Sequence, residues 1–462
     1  MGESRGHDIT RQASPTLLAI AAFSLGVLLQ FTNGSVPPGL MSRAMLGLSI
    51  VALACVAGCL GIRPARIAAI DADPRKIDRW LGGLLFLQLV LLLFKRPALS
   101  LPLDDRSWVL PFGSGVALVA LVAFVALRDW PRFGRWLVPT AMSIFLALGI
   151  WTIRHTPDPG IDVITFQREG LRALSSGQNP YAITMPQVYG NQEYYGAGVT
   201  ENGRLLIGHP YPPLSLLLEW PFHAATGEYR YALLAALAAA AWLLASITRT
   251  ATGALAATLL LFSPRSFFVV EQGWTESLVV LAVVTVVYTA VRKPAWLPIA
   301  LGALFAMKQY AVFLAPIAFM LVPLADRRKT VGILAGAIAI AAAITLPFAL
   351  WNLPAFHRSV VEFQFLQPFR IDSLSYLAWY ARMTGSQPAA WVGFAAMLAA
   401  MVLVLWRAPR TPAGFAAGGA TILFAFFAFN KQAFCNYYFV VVGALWCAVA
   451  AKTRPGLLSE RK

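Results

Sequence analysis

The sequence is short of charge. Only 13% of its 462 residues are Asp, Glu, Lys or Arg, about half the share in an average soluble domain. With 58% hydrophobic residues, it has too little polar surface to clothe a soluble core of this size. Acids are the scarcer sign: 21 against 37 basic residues, a formal net charge of +16. In a soluble chain that excess would point to nucleic acid. Here Lys and Arg gather between apolar runs, as topology signals do. No nucleic-acid partner is expected, whereas membrane lipids are, and the basic excess suits anionic headgroups. Cysteine is nearly absent. Cys55, Cys59, Cys435 and Cys447 lie in or beside apolar stretches, which argues against a disulfide framework or metal site and leaves them as small packing residues.

Familiar catalytic signatures are missing as well. There is no P-loop, no dinucleotide glycine fingerprint, no HExxH and no nucleophile elbow. No Asp-x-Asp pair in an outer loop calls for a metal-bound nucleotide sugar. Asp104 and Asp105 are adjacent, and Asp71-Ala72-Asp73 falls in a basic loop. The sequence therefore requires no cofactor and no divalent metal. No period of about 20–50 residues recurs, which excludes a solenoid.

What is present is a series of long apolar runs. A helix needs about 20 apolar residues to cross a bilayer. Counting runs of that kind gives an all-α, polytopic transmembrane bundle of about 12–14 spans. The first run, 15–31, follows Arg5 and Arg11 but lacks a small-residue cleavage site, so it reads as a retained helix. Basic clusters then set orientation. They comprise Arg63, Arg66, Arg75, Lys76 and Arg79; Arg128, Arg132 and Arg135; Arg327, Arg328 and Lys329; Arg407 and Arg410; and Lys452 with Arg454. Alternating crossings put them all on one side with both termini, the cytoplasmic side of a plasma (inner) membrane. Segments 154–211 and 351–388 then lie outside. Between 212 and 300 the count breaks the rule, because Arg249, Arg292 and Lys293 fall outside unless one helix there is re-entrant. Residues 1–136 read as N-terminal helices with little polar chemistry, 137–350 as the catalytic module, and 389–462 as the C-terminal helices.

The 154–211 segment is the longest polar interruption. Lipid-exposed irregular backbone is not tolerated inside a bilayer, so the segment stands at or above the interface. The spacing of Ile164, Leu171 and Leu174 predicts a surface helix over 162–176, ended at Gly177. The Tyr-, Asn- and Gly-rich part at 187–203 suits hydroxyl-rich ligands. Pro212 and Pro213 then open the next helix.

Asp162, then Gly177-Gln178-Asn179-Pro180-Tyr181, then Tyr211-Pro212-Pro213-Leu214 follow one another in that order. With Glu271-Gln272-Gly273, Lys308 in AMKQYAVFLAP and Gln367-Pro368-Phe369-Arg370, the arrangement over about 137–450 resembles the GT-C superfamily. Within it the chain is most similar to glycosyltransferase family 87, the polyprenyl-phosphate-sugar-dependent, mannosyltransferase-like group. The resemblance implies an inverting transfer of a hexose or pentose from a polyprenyl-phosphate donor to a glycan or glycolipid acceptor. It makes Asp162 the general base.

Asp158 competes with Asp162 but lies in a Pro-Asp-Pro-Gly turn, where Asp is common for turn reasons. Glu169 lies about two turns further along the helix and could line the same site or a solvated face. Lys308 interrupts an apolar stretch, which marks a site by default. It is a candidate for donor phosphate, as are Arg370 and His357. Tyr181, Tyr211, His209, Gln272 and Glu276 are candidates for substrate binding, although the helix count puts Gln272 and Glu276 on the cytoplasmic side. The alternatives are a transporter or lipid flippase, or a lipid-linked oligosaccharide ligase or polymerase.

Overall fold

A computed structural model describes residues 12–190, 194–323 and 325–452; Arg5, Arg11 and Arg454 lie outside them. The chain forms a helical bundle with two distinct ends. One end is basic and the other holds a large cavity. Helix α1 (Pro15–Thr32) starts at the basic end, α2 (Met41–Leu60) returns there, and the short α3 (Ala65–Ala72) lies across it. The buried Asp71 carboxylate on α3 accepts bonds from Ser14 Oγ, Thr16 Oγ1 and Thr16 N–H, and pairs with Arg63 at 2.9 Å. It thereby satisfies donors that the first turn of α1 would leave unpaired.

The chain then rises along α4 (Pro74–Leu92), falls along α5 (Val109–Arg128) and rises along α6 (Trp130–His155). Next comes α7 (Asp162–Ser175), followed by the two-residue strands β1 (Met185–Pro186), β2 (Thr200–Glu201) and β3 (Arg204–Leu205). These strands pair antiparallel in the order β1-β3-β2. As expected, α7 ends at a glycine: Gly177 has φ +69°, and Gln178 N–H reaches back to the Ala173 carbonyl.

Helix α8 (Leu214–Thr226) corrects the expected crossing over 212–225. It has only 13 residues, and Gly227 stops it in the left-handed region. Both of its ends lie at the cavity end. Tyr211, just before it, accepts from the Tyr181 hydroxyl, and Arg230, just after it, donates to the carbonyls of Thr156 and Pro157. Helix α9 (Arg230–Thr248) therefore runs toward the basic end. Arg249 joins Arg63, Arg75, Arg128 and Lys452 around a cleft there. Helices α10 (Ala251–Leu261) and α11 (Ser266–Glu271) rise again, and α12 (Glu276–Arg292) descends. Arg292 donates to the Ser246 carbonyl near the far end of α9. The three basic residues that broke the charge rule thus join the other basic residues.

Helix α13 (Leu297–Phe305) rises to Lys308, and two 3-10 segments, Gln309–Leu314 and Pro316–Met320, carry the chain back. Helix α14 (Arg327–Trp351) packs parallel to α13. The short α15 (Leu353–His357), α16 (Phe363–Leu366) and α17 (Tyr376–Thr384) cover the cavity end. Three more helices, α18 (Trp391–Arg407), α19 (Pro412–Ala428) and α20 (Cys435–Ala450), close the bundle. Among the described residues, six helices are long and apolar enough to cross a membrane, and six shorter apolar helical segments accompany them. The expected runs 80–94 (in α4), 212–225 (in α8) and 276–291 (in α12) fall in neither group. The 253–267 run breaks at Pro264 and Arg265, where Arg265 takes φ +71°, and the 300–322 run breaks at Lys308. The four cysteines are buried and unpaired.

Candidate active site

The cavity has a volume of about 770 Å³ and opens between α7, the 359–372 segment and the ends of α12, α13 and α20. Asp162, Tyr211, Gln272, Lys308 and Arg370 all line it. Asp162 is the first residue of α7, so its carboxylate stands at a helix N-terminus. Burial is nevertheless the dominant influence, and it pushes the Asp162 carboxyl up to about 6. Two tyrosines of the 187–203 loop oppose that effect. The hydroxyls of Tyr189 and Tyr195 donate to the two Asp162 carboxylate oxygens at 3.4 Å each, and Asp162 N–H donates to Tyr189 at 3.3 Å. Arg370 also favours the charged form from across the cavity.

Arg370 is held on three sides. Its Nε and one terminal nitrogen form a bidentate pair with Asp372, both contacts 2.9 Å. The guanidinium lies 4.6 Å from the Tyr194 ring centroid and 4.9 Å from that of Phe434. Lys431, also on the cavity wall, donates to the backbone carbonyls of Phe365 and Gln367.

The floor is built on Lys308. Its ammonium donates to Glu276 at 2.6 Å and Thr275 at 3.0 Å, and sits 4.3 Å from the Tyr211 ring centroid. The same Glu276 oxygen accepts from Asn436 at 3.0 Å and from the Tyr310 hydroxyl at 3.4 Å. Both Lys308 and Glu276 are buried. The added bonds to Oε1 support this buried pair, whereas Glu276 Oε2 has no hydrogen-bond partner among the described residues. The Lys308 charge is thus compensated within the protein, and Glu276 lies at the cavity end, contrary to the expectation from helix counting. The cause is α8, which does not cross.

Side-chain amides line the rest. Gln309 Nε2 donates to the carbonyls of Pro210 and Val360, Gln364 Nε2 to Pro210, and Gln432 Nε2 to Pro368. Carbonyls only accept, so these contacts fix the amide orientation. The Oε1 atoms are left as acceptors, with no hydrogen bond among the described residues.

The other expected site residues sit elsewhere. Tyr181 is buried, with its hydroxyl spent on the Tyr211 carbonyl. His209 is buried edge-on between Tyr181 and Tyr211, and burial pushes its imidazole down to about 3. Both are supports behind the wall. Glu169 faces away and pairs with Arg172 at 2.5 Å. His357 is exposed and contacts Glu362 at 3.0 Å. Sequence reasoning did not single out Tyr189, Lys431, Gln309, Gln364, Gln432 or Asn436. A signal existed for Lys431 and Gln432: Asn430-Lys431-Gln432 is a polar triplet between two apolar helices.

The sequence model of glycosyltransferase family 87 matches residues 209–430, which include Tyr211, Lys308 and Arg370 but not Asp162. No curated protein and no solved structure matches the chain. This match, over just under half of the chain, and the helices long and apolar enough to cross a membrane are consistent with a multi-pass membrane glycosyltransferase of family 87.

Proposed function

We propose that the protein is a GT-C-type inverting glycosyltransferase that moves a sugar from a polyprenyl-phosphate donor to the hydroxyl of a glycan or glycolipid. The observation that carries this reading is the joining of Asp162 and Arg370 in one cavity with a strongly apolar side. Phe313, Phe394 and Phe426 pack together on that side, and Phe268 and Phe363 add to the apolar lining, which suits a prenyl chain. In the reaction the acceptor oxygen attacks the anomeric carbon and gives its proton to Asp162. The bond from that carbon to the phosphate oxygen breaks, and the phosphate keeps the electron pair. A singly charged diester thereby becomes a monoester with a second negative charge, and Arg370 and Lys431 stand ready to stabilise it. Lys308 faces the same cavity but is already compensated by Glu276, so its role is to shape the floor. The acceptor oxygens of Gln309, Gln364 and Gln432 suit the hydroxyls of an uncharged hexose or pentose.

The basic end marks the cytoplasmic face by the positive-inside rule. The site then opens to the extracytoplasmic side of the plasma membrane, with both ends of the described chain cytoplasmic. The reaction needs no divalent metal, because the donor's single phosphate is met by side-chain cations. The test is transfer from radiolabelled polyprenyl-phosphate sugars in proteoliposomes. Wild-type protein should transfer label and folded Asp162→Asn should not. Equal transfer by both would refute the base assignment.

A further inference from the structure

The N-terminal helices lie outside the matched stretch, yet their first connection reaches the cavity. Asn33, Ser35 and Leu99 all line it. The turn between α1 and α2 is sewn to the segment that carries Arg370. Ser35 forms a β-bridge with Ser373, Val36 N–H donates to the Asp372 carbonyl at 2.7 Å, and Leu374 N–H donates to Gly34 at 3.1 Å. Arg382 donates to the Val36 carbonyl at 2.8 Å, which ties the far side of the turn to α17. Gly34 is required there. It takes φ +78°, and a Cβ would fall on the backbone of Phe434 and Cys435.

The side chains continue this attachment to the cation itself. Ser35 Oγ donates to Asp372 Oδ2 at 3.0 Å, the same oxygen that accepts from a terminal nitrogen of Arg370. The other Asp372 oxygen accepts Arg370 Nε. One carboxylate therefore takes three bonds, two from the guanidinium and one from the serine. This leaves the second terminal nitrogen of Arg370 with no bond among the described residues, on a guanidinium bracketed by Tyr194 and Phe434. A guanidinium fixed on one edge presents its free edge in one direction, which is what recognition of a phosphate oxygen needs.

We infer that Ser35 is a positioning residue for the donor phosphate, acting through Asp372 on Arg370, so that the α1–α2 turn is a working wall of the donor site. The inference rests on the reading of Arg370 as a phosphate ligand. If Ser35 lets go, Asp372 is free to rotate and the Arg370 fork loses its fixed bearing, while the cavity and Asp162 stay unchanged. The Ser35 contact is solvent-accessible, so the expected effect is modest. A single hydrogen bond of this kind corresponds to about a three- to tenfold change in affinity.

The experiment measures binding of a short-chain polyprenyl monophosphate, and of the matching polyprenol, to full-length protein in detergent. Ser35→Ala should weaken monophosphate binding about three- to tenfold and leave polyprenol binding unchanged. Ser35→Thr, which keeps the hydroxyl, should restore it. Ser35→Asp, which sets a second anion beside Asp372, should weaken monophosphate binding further than Ser35→Ala does. Arg370→Ala serves as the reference. If Arg370→Ala binds monophosphate like wild type, the phosphate reading of Arg370 fails and this inference falls with it. If Arg370→Ala is impaired while Ser35→Ala is not, only the inference is overturned. Equal loss of both ligands in Ser35→Ala would also overturn it, as the sign of general damage.

Discussion

The sharpest prediction concerns the pH dependence of Asp162. Removing its carboxylate as Asp162→Asn should lower kcat/KM by about 10²- to 10⁴-fold, the usual contribution of a general base. In the wild type, burial pushes this carboxyl up to about 6, so kcat/KM should rise with pH and level off above about 6–7. The hydroxyl bonds from Tyr189 and Tyr195 favour the charged form, and at 3.4 Å each is long. At about 1 kcal/mol apiece, removing either as Tyr→Phe should move the rising limb upward by roughly 0.7 pH unit. Arg370→Ala should move it the same way. Stability must move in the matching direction. A carboxyl raised above its unfolded value binds its proton more tightly when folded, so its penalty is absent below about pH 4 and full above about 6–7. The rise from the ordinary range corresponds to roughly 3 kcal/mol at most, and water in the open cavity reduces this to about 1–2 kcal/mol. Asp162→Asn should therefore be the more stable protein at pH 7.5 and no more stable at pH 4. The assay is a donor-saturation series from pH 4.5 to 8.5, with thermal unfolding across the same range. A rising limb that persists in residual Asp162→Asn activity, or that ignores both Tyr→Phe changes, would refute the reasoning.

Other outcomes follow from the buried polar contacts. Lys308→Met strands the Glu276 carboxylate and should cost about 3–5 kcal/mol, whereas Lys308→Met with Glu276→Leu should recover most of it; unfolding midpoints of the single and double variants check this. Arg230 is fully buried and donates to Glu228 and to the carbonyls of Thr156 and Glu271. Arg230→Met should cost about 2–4 kcal/mol through those unpaired acceptors and loosen the lead-in to α7, read as faster hydrogen exchange at 157–171. Gly273 has φ +67° and faces the Tyr229 hydroxyl and Ile164 of α7. Gly273→Ala should lower the unfolding temperature more than Gly190→Ala, a position with open space around it.

The all-helical membrane class was legible from composition alone, because too few charges were present to cover a soluble core. The surface helix from Asp162 to its glycine stop was legible too, since apolar spacing and a left-handed terminator are local properties. Asp162 itself was singled out by the family resemblance, and it lines the cavity. The partners of that carboxylate were not legible. Tyr189 and Tyr195 lie 27 and 33 residues downstream, and nothing in a tyrosine-rich loop reveals which hydroxyl turns inward. Lys308 shows the same limit from the other direction. Its isolation in an apolar stretch singled it out, and it lines the cavity, but whether such a lysine awaits a ligand or already holds a carboxylate depends on Glu276, 32 residues upstream.

The failure between 212 and 300 has a single cause, and it carries the most information. Charge signals fix which side a loop belongs to, whereas apolar length only tells how many times a chain could cross. At α8 the two disagreed. Residues 212–225 are apolar enough to read as a span, yet a crossing there would have sent Arg249, Arg292 and Lys293 to the wrong side and Glu276 away from Lys308. Taking α8 as a helix that enters and leaves at the same end removes all four conflicts at once. The physical reason is that an apolar helix need not cross a bilayer: Leu217, Leu218, Trp220 and Phe222 of α8 stay exposed although both its ends lie at the cavity end. Leu214, Ser215, Leu216 and Glu219 of α8 are buried in the protein, and Trp220 bonds back to Ser175 at the end of α7. The apolar surface of α8 supports the helix that presents Asp162. A proline pair before it, a glycine stop after it and an acid in its middle distinguish such a supporting helix from a span, and all three can be read in the sequence.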